Sequence, residues 1–298
     1  MKVRILGSCA GGGLPQWNCG GPNSIRARSD EPSVPSRTQP SIAVSAEGKR
    51  WSVINASPDI RHQFAAFPGL HPRAGTRDVP LDTVVLTNAD LDHCLGLLIL
   101  REALSYRILT TPWVRDALLE HNAAFRLLEP AWGTAKLDER IFLDAASRLE
   151  ARFFPVPGKV PGFLTGAAGP NRPDTTVGVR ITDVETGRRL VYLPGIKTLD
   201  SGTLAELRAA DCRFLDGTFY TADELSELRP GAPDAFAMCH VPITGPGGSL
   251  EPLSELPGRS LYIHMNNTNP ILDRDSAEAA VVTAAGIEIA SDGLEFEL

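Results

Sequence analysis

The chain has 298 residues, 43% of them hydrophobic and 22% charged, which provides for a sizeable core and excludes disordered, collagen-like and coiled-coil chains. Its 29 Lys and Arg against 36 Asp and Glu give a net charge of -7, so neither nucleic-acid phosphates nor an anionic membrane is an expected partner. Five cysteines, Cys9, Cys19, Cys94, Cys212 and Cys239, form no CxxC pair, and no apolar run reaches a signal-peptide core or a membrane span, so a reducing, cytoplasmic location is expected.

In chain order, short apolar runs bounded by turn residues predict strands at 3–6, 41–44, 51–54, 83–86, 152–156, 177–181, 190–192, 213–215 and 261–263. Helix-like stretches fall at 113–128 after Thr111-Pro112, at 203–210, and at 276–285 behind the acidic Asp273 and Asp275. The hairpin signals Ala46-Glu47-Gly48-Lys49 and Glu185-Thr186-Gly187-Arg188 add antiparallel pairing, so the class is α/β. Residues 18–40 and 157–176, dense in Gly and Pro, predict long loops. No repeat or composition shift marks a boundary, so one domain over 1–298 is expected.

Chemistry concentrates at strand ends. Residues 81–100 read as a buried strand, the polar loop Asn88-Ala89-Asp90-Leu91-Asp92-His93 and an apolar helix, which places a carboxylate and an imidazole where α/β sites sit. The plainer alternative is a helix-capping Asp beside a solvated His93. Further on, RFLDGTFY ends a strand at Asp216, LYIHMNNTNPILD ends one at His264 followed by Asn266, Asn267 and Asn269, and His240 precedes a Gly-rich turn. Asp92, His93 and His264 make a two-His-one-carboxylate set with open positions, with Asp216 as a fourth candidate, if these loops converge; four unrelated polar loops would look the same in sequence. His62, His71 and His121 have no partner pattern and read as surface or helix-end residues. The glycines of residues 7–13 lack both GxGxxG and the GK[ST] ending, so they read as turn-formers rather than a phosphate loop. Cys94 and Cys239 adjoin candidate histidines but read as small buried thiols.

The segment DLDHCLGLL resembles a worn form of the HxHxDH motif of the metallo-β-lactamase superfamily, with Asn88 and Asp90 where the first two histidines would stand. The resemblance implies that the first metal position is dismantled, since PVPGKVP offers Gly158 where a third histidine would be. It implies that the second position keeps Asp92, His93, His264 and Asp216. More specifically, ILGSCAGGGLPQWNC, RTQPSIAVS, NASPDIR, DLDHCLGLLILRE, LDGTFY, CHVPITGPGG and HMNNTNPILDRDSAE are similar to the family of pyrroloquinoline quinone (PQQ) biosynthesis B proteins. That implies an α/β, four-layer αββα sandwich of the metallo-β-lactamase type and a role in PQQ biosynthesis. Relatives carry WNCxCxxC, a structural-zinc loop, whereas WNCGGPNS keeps only Cys19, so no structural zinc is expected there and the 18–40 loop is expected to be mobile.

The family implies an iron- and dioxygen-dependent hydroxylase acting on the tyrosine-derived part of a Glu-Tyr precursor released from a small peptide. Fe(II) would sit in a single position, with zinc as the alternative occupant on purification. His240 would be the catalytic proton donor or acceptor, and Asp59, Arg61, Asn266 and Asn267 would hold the substrate's charged ends. The alternatives are a one-metal hydrolase and a carrier that assists transport of PQQ or its precursor. Expected partners are the amino-acid-derived precursor and other pathway proteins, with a homodimer left open.

Overall fold

The computed structural model describes residues 1–102 and 105–298. Its strands are β1 (Lys2–Gly7), β2 (Ser41–Ser45), β3 (Trp51–Ile54), β4 (Leu81–Val85), β5 (Arg107–Thr110), β6 (Trp132–Thr134), β7 (Ile141–Phe142), β8 (Leu149–Pro155), β9 (Val177–Asp183), β10 (Arg189–Leu193), β11 (Cys212–Asp216), β12 (Arg259–Ile263), β13 (Glu288–Ile289) and β14 (Glu295–Glu297). Its helices are α1 (Pro22–Arg28), α2 (Ile60–Ala65), α3 (Leu91–Cys94), α4 (Gly96–Ile99), α5 (Pro112–His121), α6 (Ser201–Arg208), α7 (Glu224–Leu228), α8 (Leu250–Ser254) and α9 (Ala277–Ala284), joined by short 3-10 turns. The chain forms two compact units, one of Met1–Leu6, Ser41–Arg189 and Gly293–Leu298, the other of Gly7–Pro40 and Leu190–Asp292.

In the first unit the strand order is β14-β1-β2-β3-β4-β5-β6. The hairpin signal at 46–49 closes β2 onto β3 antiparallel, with Ile42 opposite Ile54 and Val44 opposite Ser52. Gly48 takes φ +81 there, a conformation open to glycine at no steric cost, and its N–H donates to Ser45 Oγ at 2.7 Å. From β3 to β6 the pairing is parallel, and such strands are covered on both faces, which is why they read as unbroken apolar runs. Trp51 and Phe67 meet edge to face at 4.8 Å in the core beside Val84, Leu86, Ile108 and Phe125. The strands β7, β8 and β9 pair antiparallel in the same unit. The turn signal at 185–188 is also a turn, closed by Gly187 N–H on the Asp183 carbonyl at 2.8 Å.

Sequence and structure part in several places, among them the short strands β6, β7, β13 and β14 and the helices α7 and α8, which were not expected. Strand β5, only four residues long and without a turn signal before it, was not expected, yet Ile108 and Leu109 are buried between β4 and β6. The helix expected at 113–128 breaks at Asn122, which leaves the helix at φ -144 and uses its own side chain to accept the Ala124 N–H, starting a 3-10 turn instead. The loop expected at 18–40 contains α1, begun by Pro22, which needs no N–H in a first helical turn. Arg26 anchors α1 by donating to Glu31 and to Asp273, each at 2.6 Å.

In the second unit β10, β11, β12 and β13 run parallel in that order. Phe214, Leu215, Leu261, Tyr262 and Ile263 are fully buried, and the two central strands end at Asp216 and just before His264. Both units thus place polar groups at the carboxyl ends of parallel strands, where backbone pairing stops and side chains are free to converge.

Candidate metal centre

In the first unit, β4 ends at Val85 and the chain turns through Thr87 to Asp90 before α3 begins, so that Asp92 and His93 lie in the first turn of a four-residue helix. His93 is buried at 1% exposure, which excludes a solvated histidine. Its Nδ1 lies 2.7 Å from Asn88 Oδ1, while Asn88 Nδ2 donates to Asp90 Oδ2 at 2.7 Å. A carboxylate only accepts, so the amide is oriented with its oxygen toward the imidazole, and His93 donates from Nδ1. The lone pair is then at Nε2, the atom a metal would take. Asn55, at φ 63 at the end of β3, accepts the Thr87 N–H at 3.0 Å and fixes the loop's first residue. Asp90 does not cap α3 with its side chain.

In the second unit, Asp216 is fully buried at the end of β11 and its carboxylate takes four hydrogen bonds. Oδ1 accepts from Thr218 N at 3.0 Å and Thr218 Oγ1 at 2.6 Å; Oδ2 accepts from Ile196 N at 3.0 Å and His240 Nδ1 at 2.8 Å. Burial alone would push this carboxyl up, but the His240 and His264 imidazoles and the hydrogen bonds outweigh it and hold the pKa below the usual carboxylate value. The rings of His240 and His264 stack with centroids 5.4 Å apart, and each Nδ1 lies near Thr218 Oγ1, at 3.0 and 2.8 Å. One ligand atom from each of Asp216, His240 and His264 lies within 4.8 Å of the other two, close enough for a single cation. His264 adopts φ 64, a left-handed conformation uncommon for histidine and found where the surroundings dictate it.

Sequence reasoning named Asp216, His240 and His264 but missed Thr218 and gave Asn88 no task. The Thr of LDGTFY was the available signal: a hydroxyl two residues past a buried strand-end carboxylate can reach back to it. Of the residues expected to hold substrate, Asp59 precedes α2 and Arg61 is exposed on it. Asn266 Nδ2 donates to Thr268 Oγ1 at 2.6 Å, and Asn267 lines a 520 Å³ cavity of the second unit with Asn23, Tyr220, Glu224, Leu228 and Pro270. Gly158 is packed so that a Cβ would stand 2.5 Å from Thr176 Cβ, leaving no room for any side chain there. His62, His71 and His121 are exposed. Burial raises the Cys94 thiol far above its ordinary value, which keeps it protonated.

Residues 50–265 match the β-lactamase superfamily domain. Over the whole length of both chains, the protein is 41% identical to coenzyme PQQ synthesis protein B of Methylococcus capsulatus and 42% identical to that of Methylobacterium radiotolerans. The chain belongs to the coenzyme PQQ synthesis protein B family of the β-lactamase superfamily. A solved member of that family, Zn(2+)-bound PqqB from Methylobacterium extorquens, superposes with a TM-score of 0.93 at 40% identity, covering all of both chains. A diphosphatase of the PhnP family superposes at 0.67 with 20% identity, a likeness of fold alone. The α/β class and metallo-β-lactamase type expected from the sequence are borne out. Like the expectation from sequence, no helix among the described residues is long and apolar enough to cross a membrane.

Proposed function

We propose that the chain acts in pyrroloquinoline quinone synthesis, in the cytoplasm and as one domain, as a single-metal oxygenase. Its substrate on this reading is the tyrosine-derived part of a Glu-Tyr precursor, with iron as the metal and dioxygen as co-substrate. Family membership supports the pathway, and a Zn(2+)-bound relative supports a metal. The observation that carries the single-metal reading is the state of the first metal position. Asn88 is committed to Asp90 and His93, and Gly158 has no space for a third histidine, so a second ion would lack its donors.

The donors left for one ion are Asp92, His93 and His264, with Asp216 as a fourth, a set suited to Fe(II) with open positions. Their chemistry fits: His93 turns Nδ1 to Asn88 Oδ1, which puts its lone pair on Nε2, and Asp216 is kept ionised in a buried setting. When bound by these residues, iron would supply redox-active Lewis-acid chemistry toward dioxygen and a catecholate-like substrate. The protein's own groups manage protons and orientation. The Asp216 carboxylate accepts from His240 Nδ1 at 2.8 Å and orients the ring, so that Nε2 is the atom at which His240 would take or release a proton. Asp216 can serve an ion as well only by giving up one of its four hydrogen bonds, since a carboxylate has about four acceptor positions. Asn267 on the cavity wall, Asn266, Asp59 and Arg61 are assigned to the substrate's charged ends.

The test is anaerobic loading with Fe(II) or Zn(II), followed by oxygen uptake with a catechol-bearing Glu-Tyr compound. Uptake is expected with Fe(II) and none with Zn(II) or after His264→Ala. Oxygen uptake that survives zinc substitution or Asp92→Ala would overturn the oxygenase reading; ester or phosphodiester cleavage by the Zn(II) form would replace it by a hydrolase, and saturable binding of the quinone without turnover by a carrier.

A further inference from the structure

The Thr218 hydroxyl, 3% exposed, stands among four groups of the second unit. Asp216 Oδ1 is 2.6 Å from it and the His264 carbonyl oxygen 3.0 Å; His264 Nδ1 is at 2.8 Å and His240 Nδ1 at 3.0 Å. A hydroxyl carries one proton and two acceptor lone pairs. The carboxylate and the carbonyl can only accept, so the single proton goes to one of them and is unavailable to either imidazole. Each Nδ1 therefore faces a lone pair and must itself carry the hydrogen. His240 reaches the same state by a second route, because its Nδ1 also faces Asp216 Oδ2 at 2.8 Å.

We propose that Thr218 is a positioning residue that fixes His264 in the Nδ1–H tautomer and, together with Asp216, does the same for His240, so that both rings present the Nε2 lone pair. A neutral imidazole of the other tautomer would carry a hydrogen where a ligand atom is needed. The stacking of the two rings, 23° from parallel, lets one oxygen serve both. The hydroxyl's place is set by backbone contacts: Gly217 N–H donates to the Ile263 carbonyl at 2.7 Å and Asn266 N–H to the Thr218 carbonyl at 2.9 Å. That approach needs glycine, because a Cβ at 217 would stand 2.8 Å from Tyr262 Cβ. Threonine contributes the hydroxyl on a side chain whose χ1 is restricted by branching.

The tautomer part of this inference stands apart from the oxygenase reading, and only its affinity part rests on His264 being a metal ligand. Long-range nitrogen–proton NMR of the metal-free, full-length chain, at a pH where imidazoles are neutral, reads the tautomer of each ring directly. His240 and His264 are expected as Nδ1–H. In Thr218→Val, which keeps the shape and removes the hydroxyl, His264 is expected to populate the Nε2–H form while His240 keeps Nδ1–H through Asp216. Thr218→Ser is expected to restore His264. Zinc affinity measured against a chromophoric chelator should fall roughly 10- to 100-fold in Thr218→Val and recover in Thr218→Ser. An Nε2–H tautomer of His264 in the unmodified protein overturns the proposal without any variant, as does an unchanged tautomer in a folded Thr218→Val. If His264→Ala leaves zinc affinity intact, the metal reading fails while the tautomer result still decides the role of Thr218.

Discussion

Among single residues, Asn88 shows how a lost ligand can acquire another task. Set against the HxHxDH motif it is a missing histidine, yet its amide oxygen lies 2.7 Å from His93 Nδ1 and its nitrogen is tied to Asp90. A metal-ligating imidazole depends on such a partner for its orientation and tautomer. Asn88→Ala should therefore weaken zinc binding by roughly tenfold or more without touching a ligand. Competition against a chelator gives the number, and an affinity equal to the parent's would show that Asn88 does not hold His93. Restoring a histidine at 158 should not add a second metal, because Thr176 already fills that space. That Asn88 and Gly158 stand where histidines would be was legible in sequence, but the tasks that Asn88 and Thr218 perform were not, because their partners are side chains brought together by the fold and both are residue types that turns use everywhere.

Among elements, strands were legible where their burial on both faces leaves a continuous apolar run, as in β11 and β12, and the strand-end residues Asp216 and His264 could be read for the same reason. Strand β5 has no turn signal before it to set it off, and the break after α5 depends on one asparagine side chain accepting the Ala124 N–H in place of continuing the helix. Helix α7 illustrates what sequence hides. Its first residue, Glu224, accepts the Tyr220 N–H at 2.6 Å and the Thr268 hydroxyl, joining α7 to the loop after β12 on the wall of the cavity. Burial pushes its carboxyl up to about 7, and these hydrogen bonds offset burial only in part. The folded pKa is raised, so the folded chain binds the proton more tightly than the unfolded one. Stability is then full below the unfolded value near 4.5 and declines as pH rises toward about 7, by on the order of 3 kcal/mol over the whole window. Glu224→Gln has no proton to lose, and its amide can still accept from Tyr220 and donate to Thr268. Thermal melts between pH 4.5 and 7.5 should show a falling midpoint in the parent and a flatter profile in Glu224→Gln. Parallel profiles would mean that Glu224 titrates alike in both states.

At the scale of the whole molecule, the net charge of -7 first served to exclude polyanionic partners, yet its acidic groups are not all on the surface. Asp183 and Asp216 are fully buried, one held by Arg148 and the other by two imidazoles and backbone N–H groups. Concentrated buried charge of this kind is costly unless something compensates for it; around Asp216 the imidazoles and hydrogen bonds already outweigh burial, and a bound cation beside it would add to that compensation. On the proposed reading, zinc titrated into chelator-stripped protein should saturate at a single equivalent per chain and raise the unfolding temperature. The increment follows from mass action, about 2.7 kcal/mol at a hundredfold excess over the dissociation constant, provided the unfolded chain does not bind the ion. Calorimetry with and without chelator measures it directly, and His264→Ala should abolish most of the difference while leaving the chelated melting point close to the parent's. Saturation at two equivalents would mean that donors other than Asn88, Asp90 and Gly158 rebuild the first position. A melting temperature indifferent to metal would remove the ion from the native state and with it the basis of the oxygenase reading.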